Sequence, residues 1–313
     1  MSKRVVATLL LALILILSAT APASENIESI SLRIHKSRDY TPSQYQPHSP
    51  IEISRNSDFD TLGFAGNGSI ENPYIIANFS ISSSTATSIS IRDTTAYFII
   101  YNCLVEAGSN GVAIQFNEVQ NGRIESCEIG GGNTGIVLIE SSFCTVSNTM
   151  IYYCSTGIHL YSTNNSTIIF SRLFNNYRSV RIDESLFCNI VNSSIYANTR
   201  EAIDLGNFAF NNSIYGNSIG WNGDSGNVID LGHHNHFDDG VGLGNAWDDF
   251  NGSIPFVIPG TNGSIDSYPQ LLVDNVNPVI YGLADIAFDI ETTGNSMTWM
   301  VSDDFPNTYS IQI

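Results

Sequence analysis

Small or polar residues alternate with aliphatic ones in short bursts, and between Ser88 and Asn222 the bursts return every 22 to 25 residues. A small-then-aliphatic pair opens each unit: Ser88-Ile89, Gly111-Val112, Gly135-Ile136, Gly157-Ile158, Ser179-Val180 and Ala202-Ile203, in steps of 23, 24, 22, 22 and 23. A second column keeps the same time, from Ile100-x-x-Cys103-x-Val105 through Ile124, Val146, Ile168 and Ile190 to Ile214-x-x-Asn217-x-Ile219. Within a unit the apolar residues recur every second position, as in Ile136/Leu138 and Ile158/Leu160. That is the period of a strand. Gly, Asn, Ser and Thr fill the intervals, which is turn chemistry. A unit so short cannot bury its apolar face alone and must stack on copies of itself. The pattern predicts an all-β parallel β-helix of about 7–9 coils, spaced at about 4.8 Å.

A polar ladder supports this reading. Eight residues after the second-column aliphatics stand Cys154, Asn176, Asn198 and Asn222, with Gly108 and Gly132 in the earlier coils. Asn tolerates the left-handed backbone of a tight corner, and stacked Asn side chains hydrogen-bond along the axis.

The flanks lose the period. Lys3 and Arg4, an apolar run to Leu17 and the close Ala21-Pro22-Ala23 follow the plan of a secretory signal peptide over 1–23. Residues 24–48 read as a polar linker, 49–271 as the β-helix with its end caps, and 272–313 as part of a β-sandwich. About 40 residues are too few for a complete sandwich of ~100, so truncation of that module is expected. No segment beyond the leader is apolar for long enough to span a bilayer, and the chain is expected to be secreted and held at the cell surface.

Removing 1–23 takes away two cations and no acids, moving the formal charge from -18 to -20. So acidic a surface repels nucleic acid and anionic lipid. Sequons at Asn67, Asn78, Asn164, Asn165, Asn192, Asn211, Asn251 and Asn262 are candidate glycosylation sites in an exported chain. Five cysteines are no disulfide scaffold. Cys103 and Cys127 share a column in adjacent coils, near enough either to bridge or to sit as small buried residues.

The entry Gly66-Asn67-Gly68-Ser69-Ile70-Glu71-Asn72-Pro73-Tyr74 and the exit Asn235-His236-Phe237-Asp238-Asp239-Gly240, with Trp247-Asp248-Asp249 and Asp266-Ser267-Tyr268-Pro269, resemble those of NosD-type right-handed β-helix repeat proteins. These have the pectate-lyase-like superfold and include archaeal surface proteins. The resemblance covers about 49–271, and Asn277-Pro278 through Trp299 is similar to Ig-like modules that follow such helices. It implies a right-handed helix. It does not fix an activity, because the superfold hosts enzymes, binders and inert stalks alike.

Enzymes of this superfold work on an outer sheet face. The residues between the first-column apolar pairs are Ser90, Ala113, Val137, His159, Arg181, Asp204 and Asp230. His159, Arg181, Asp204 and Asp230 therefore form a candidate catalytic row, with Asp204 and Asp230 able to share Ca²⁺ or to divide acid and base roles. Arg181 suits a sugar carboxylate, and His159 supplies an imidazole. The competing reading is a charge-paired ladder on a solvated face. The polygalacturonase-type motifs Asn-Thr-Asp, Gly-His-Gly and Arg-x-Lys are absent, which argues against catalysis.

His233, His234 and His236, with Asp238 and Asp239, are the one histidine cluster, and the NosD resemblance makes copper handling a reading for it. Against a metal site stands the opposite facing of adjacent strand residues. Tyr97, Tyr101, Phe116, Tyr152, Tyr153, Tyr161, Tyr177 and Tyr196 offer rings for sugar faces, or for the core. These features favour an exported, non-catalytic glycan-binding or scaffold protein, ahead of a polysaccharide lyase or hydrolase and of a copper-handling accessory.

Overall fold

A computed structural model describes residues 45–84, 87–223, 226–273, 279–281 and 300–302. The leader at 1–23, nearly all of the linker at 24–48 and most of the tail at 272–313 lie outside the described residues. The chain divides into two units, residues 40–275 and residues 1–39 with 276–313. In the latter, Val279–Tyr281 and Met300–Ser302 form an antiparallel pair.

The larger unit is a coil of three parallel sheets. A ten-stranded sheet runs from Gln46–His48 to Gln270–Leu271, an eight-stranded sheet from Ile51–Ile53 to Val228–Asp230, and a seven-stranded sheet from Tyr74–Ala77 to Ser213–Tyr215. Each strand pairs in parallel with the equivalent strand one coil away, so the eight-stranded sheet marks eight turns. The first paired strand, Gln46–His48, falls at the end of the stretch read as a linker.

One aliphatic column from each sheet fills the interior. Ile51, Ile89, Ile114, Ile136, Ile158, Val180, Ile203 and Val228 stack in register in the first. Ile100, Ile124, Val146, Ile168, Ile190 and Ile214 form the second, and Val105, Ile129, Ile151, Leu173, Ile195 and Ile219 the third. All are buried, each worth about 1.5–3 kcal/mol relative to exposure. The ends of the column need covers. Phe59, on the short helix Asp58–Thr61, stacks on Tyr74 at 4.6 Å at one end. At the other, Trp247 stacks on Phe256 at 4.9 Å, and its indole N–H donates to Asp266 Oδ2 at 2.9 Å.

Most corners turn through a residue with positive φ, such as Asn102, Asn148 and Asn192 at 48°, 50° and 49°. The next residue points inward and joins a polar ladder. Cys154 N–H donates to Asn176 Oδ1 at 3.0 Å, Asn176 N–H to Asn198 Oδ1 at 2.9 Å and Asn198 N–H to Asn222 Oδ1 at 3.1 Å. Cys103, Cys127, Thr149, Ser171, Ser193, Asn217 and Asn245 form a second ladder, and Cys144, Ser166, Cys188, Asn212 and Asn235 a third. These side chains satisfy the amides that the bends remove from the sheets.

Candidate functional site

The outer face of the eight-stranded sheet carries three columns. The central one is Glu52, Ser90, Gln115, Val137, His159, Arg181, Asp204 and Ile229. Two of its members correct the sequence reading. Gln115 stands where Ala113 was expected, because Ile114 and Phe116, rather than Val112 and Ile114, stack on Ile89 and Ile91. Ile229 stands where Asp230 was expected, because Val228 stacks on Ile203 and the frame shifts by one residue. His159, Arg181 and Asp204 do lie on neighbouring strands.

Asp230 is instead 1% exposed and faces the interior of the last turn. Its Oδ1 accepts from Gly232 N–H and Asn235 Nδ2, both at 2.9 Å, and its Oδ2 from Ser264 Oγ at 2.6 Å. It fastens the end of the helix and has no place in a shared Asp204–Asp230 cation site.

Two flanking columns supply Asp183 and Arg178, which the sequence does not single out, and Tyr161, which it offers only as one ring among several. Tyr161 and Asp183 lie two positions beyond His159 and Arg181, and Arg178 lies three positions before Arg181. Asp183 shares the outer face with Arg181 because strand side chains alternate. The available signal was the tripeptide Arg181-Ile182-Asp183, polar on both sides of one apolar residue.

His159 Nε2 lies 2.9 Å from Asp183 Oδ2, and Arg181 Nε donates to the same oxygen at 2.5 Å. Arg181 is thus held within its own strand rather than by Asp204. Burial alone would raise the Asp183 carboxyl, but the hydrogen bonds from His159 and Arg181 outweigh it and hold the group below its ordinary range. Beside this trio lies a second cluster. Arg178 donates to Glu201 Oε1 through Nη2 at 2.5 Å and Nε at 3.1 Å, and its Nε lies 3.3 Å from Asp204 Oδ2. Glu201 Oε2 has no aligned hydrogen-bond donor, although Arg200 Nε lies 3.2 Å away. Burial also opposes the charge on Glu201, and Arg178 overcomes it, so that carboxyl is lowered. Asp204 is raised, chiefly by burial, with Arg178 and Arg181 opposing.

His159, Tyr161, Arg181, Asp183, Glu184, Asn207 and Phe208 line a concavity of about 430 Å³. Tyr161 OH donates weakly to Glu184 Oε1 at 3.4 Å, and Phe208 is 72% exposed at the rim. Gly206 lies one coil above Asp183, and a Cβ there would collide with Asp183 Oδ1. Gly206→Ala is therefore expected to push the carboxylate off His159. The measurement is the imidazole N–H proton of His159 by NMR, whose exchange-protected signal should vanish while the amide spectrum of the other coils is kept.

The histidine cluster differs from its expectation in geometry. His234 has φ 56°, which breaks strand alternation, so His233, His234 and His236 all line one surface concavity of about 410 Å³ with Asp238. Even so, no group of three His, Cys, Asp or Glu side chains among the described residues converges as metal ligands. Asp238 and Asp239 are engaged by turn amides, Gly240 and Ser267 for the former, Val241, Gly242 and Leu243 for the latter. The described residues do not fit a copper centre.

All five cysteines are buried free thiols. Cys103 and Cys127 stand as neighbours without a bridge, the Cys103 thiol directed at the Ile76 and Tyr101 carbonyls and the Cys127 thiol at those of Ile100 and Glu125; their mutual interaction lowers Cys103 and raises Cys127. Burial pushes Cys144 and Cys154 up to about 12 and Cys188 to about 11, so these are inert as nucleophiles. Of the sequon asparagines, Asn67, Asn78, Asn165, Asn192, Asn251 and Asn262 are exposed, while Asn164 and Asn211 are half-buried. Among the aromatics, Phe116 and Tyr196 are buried, whereas Tyr101, Tyr153, Tyr161 and Tyr177 are exposed.

Three stacked parallel sheets around one continuous core make this a parallel β-helix with a charged cluster on one outer face. Its residues 94–241, just under half of the chain, match the family described as periplasmic copper-binding protein (NosD). Over those residues the coil is similar to that family. No curated protein matches the chain in sequence. Similar solved structures include the periplasmic alginate epimerase AlgG, at 19% identity and a TM-score of 0.46, over 52% of this chain and 44% of that one. An alginate lyase from Paenibacillus sp. str. FPU-7 follows at 12% identity and 0.48, over 71% of this chain and 95% of that one. Pectate lyase Pel9A gives 12% and 0.45, over 73% and 69%. The chain spans under half the length of the epimerase, and likeness at this level concerns the fold alone.

Proposed function

We propose that the chain is an exported cell-surface protein that binds glycans on the outer face of its eight-stranded sheet, in the concavity around His159, Tyr161, Arg181 and Asp183. The observation that carries this reading is the mixture of groups on one rigid surface. Fixed hydrogen-bonding side chains lie beside the exposed rings of Tyr161 and Phe208, and a sugar presents hydroxyls at its edge and C–H groups on its face. A sheet-mounted site binds without first ordering a loop, which saves the entropy of immobilising it. The leader-like N-terminus and the acidic, lysine-poor composition support export and argue against nucleic acid as the partner.

A second reading, a polysaccharide lyase or hydrolase, draws on one observation. An imidazole held at Nε2 by a carboxylate is oriented to take or give a proton at Nδ1. The test of both is retention of the purified chain on a panel of neutral and acidic polysaccharides, with reducing ends and unsaturated products followed in the same samples. Retention lost in Asp183→Asn, without products, is the expected result. Product formation abolished by His159→Ala would establish the enzyme instead, and absence of both retention and products would overturn glycan binding.

A further inference from the structure

The wall of this concavity is built by an insertion of one residue. From the third outer column to the next corner bridge, four successive coils take three steps: Asn117 to Gln120, Ile139 to Ser142, Tyr161 to Asn164 and Asp183 to Leu186. The following coil takes four, from Gly206 to Phe210. The extra residue cannot be taken up inside the stack, where Ala209 is fully buried and donates its N–H to Gly206 O at 2.9 Å. It is expelled outward, and Asn207 and Phe208 rise beside Glu184 and Asp183. On the other side, toward the N-terminus, the same face continues as Val137, Ile139, Gln115 and Asn117 on regular strands without such an insertion.

We infer that the site is a chain-end subsite: it takes the terminal units of an oligosaccharide, with Phe208 against the last ring and the rest of the chain laid over Ile139 and Asn117. This rests on the glycan reading above and adds which part of the glycan is bound. A groove open at both ends would accept any internal stretch of a polymer. A groove walled at one end by an aromatic side chain discriminates by steric exclusion, and a clash is a stronger discriminator than a lost contact. The wall stands within the same concavity as the His159–Asp183 pair, so the terminal unit would lie beside the polar trio.

The experiment uses the full chain and size-graded manno-oligosaccharides and oligogalacturonides, from the disaccharide to the polymer, with titration calorimetry. Affinity per chain should level off once the concavity is filled, and stoichiometry should stay at one site per chain end however long the polymer. Phe208→Ala should weaken short oligosaccharides by about tenfold, through lost ring burial, and it leaves the main chain intact. Deletion of Asn207 restores the three-step corner and should convert binding to one that scales with polymer length. A wild-type stoichiometry that rises with the number of internal units would overturn the inference while leaving glycan binding standing. No binding at any length would overturn both. Unchanged affinity in Phe208→Ala, with binding lost in Asp183→Asn, would also remove the wall from recognition.

Discussion

Asn217→Ala should cost about 3–5 kcal/mol of stability, from two or three buried polar groups left without partners at about 1–3 kcal/mol each. Asn217 is 1% exposed. Its Oδ1 accepts the Ser193 amide at 2.9 Å, and its Nδ2 donates to the Ile190 carbonyl at 2.8 Å and to Asn245 Oδ1 at 3.0 Å. One side chain thus serves the coil before it and the coil after it. Alanine supplies neither donor nor acceptor at a site bounded by Ser193, Ile190 and Asn245, all of them buried. The expected readout is a lower midpoint in denaturant with the slope unchanged. A variant within about 0.5 kcal/mol of the wild type, the range of a surface change, would mean that the ladder is ornament rather than support.

Arg178→Ala is the second large effect. The Arg178 and Glu201 side chains are 16% and 7% exposed, and they form the most buried ion pair of the outer face, with Asp204 at 15% beside them. Removing the guanidinium leaves a buried carboxylate facing a second one, and breaking a buried pair from one side costs about 3–5 kcal/mol. The pH dependence fixes the cause. Glu201 is lowered in the folded chain, so its contribution is present above the unfolded carboxylate range and is lost as pH falls through the folded value. Asp183 behaves in the same way. Asp204 is raised, so it weakens the fold above its folded value, and that cost is relieved on acidification. In Arg178→Ala the Glu201 contribution is gone. The variant should therefore sit furthest below the wild type near neutrality and approach it as the carboxylates protonate. Equal spacing of the two stability curves across that range would assign the loss to packing of the Arg178 stem rather than to charge.

The site shows where reading in one dimension stops. His159, Arg181 and Asp204 were legible as neighbours because their three coils step by 22 and 23 residues without ambiguity. Asp183, which holds the imidazole, was not singled out, although it stands on the same strand face two residues after Arg181. Counting one residue per coil finds a column; it does not say which members of adjacent columns turn toward each other. Arg181 illustrates this, since it binds Asp183 in its own strand while Asp204, the neighbour one coil on, is met by Arg178.

By itself, the sequence determined the coil, its period, its inward aliphatic columns and its corner ladders. Each of these follows from local chemistry repeated at a fixed spacing: alternation for strands, and Asn or Gly where φ turns positive. Only the tertiary structure decided the register of two strands, and with it the column that Gln115 joins and the face on which Asp230 lies. In Val112-Ala113-Ile114-Gln115-Phe116 two frames both place apolar residues inward, and in Val228-Ile229-Asp230-Leu231 two frames compete as well. The choice falls to whichever set stacks on Ile89 and Ile91 in one case, and on Ile203 and Leu205 in the other. That is a contact between coils more than twenty residues apart, which no local pattern encodes.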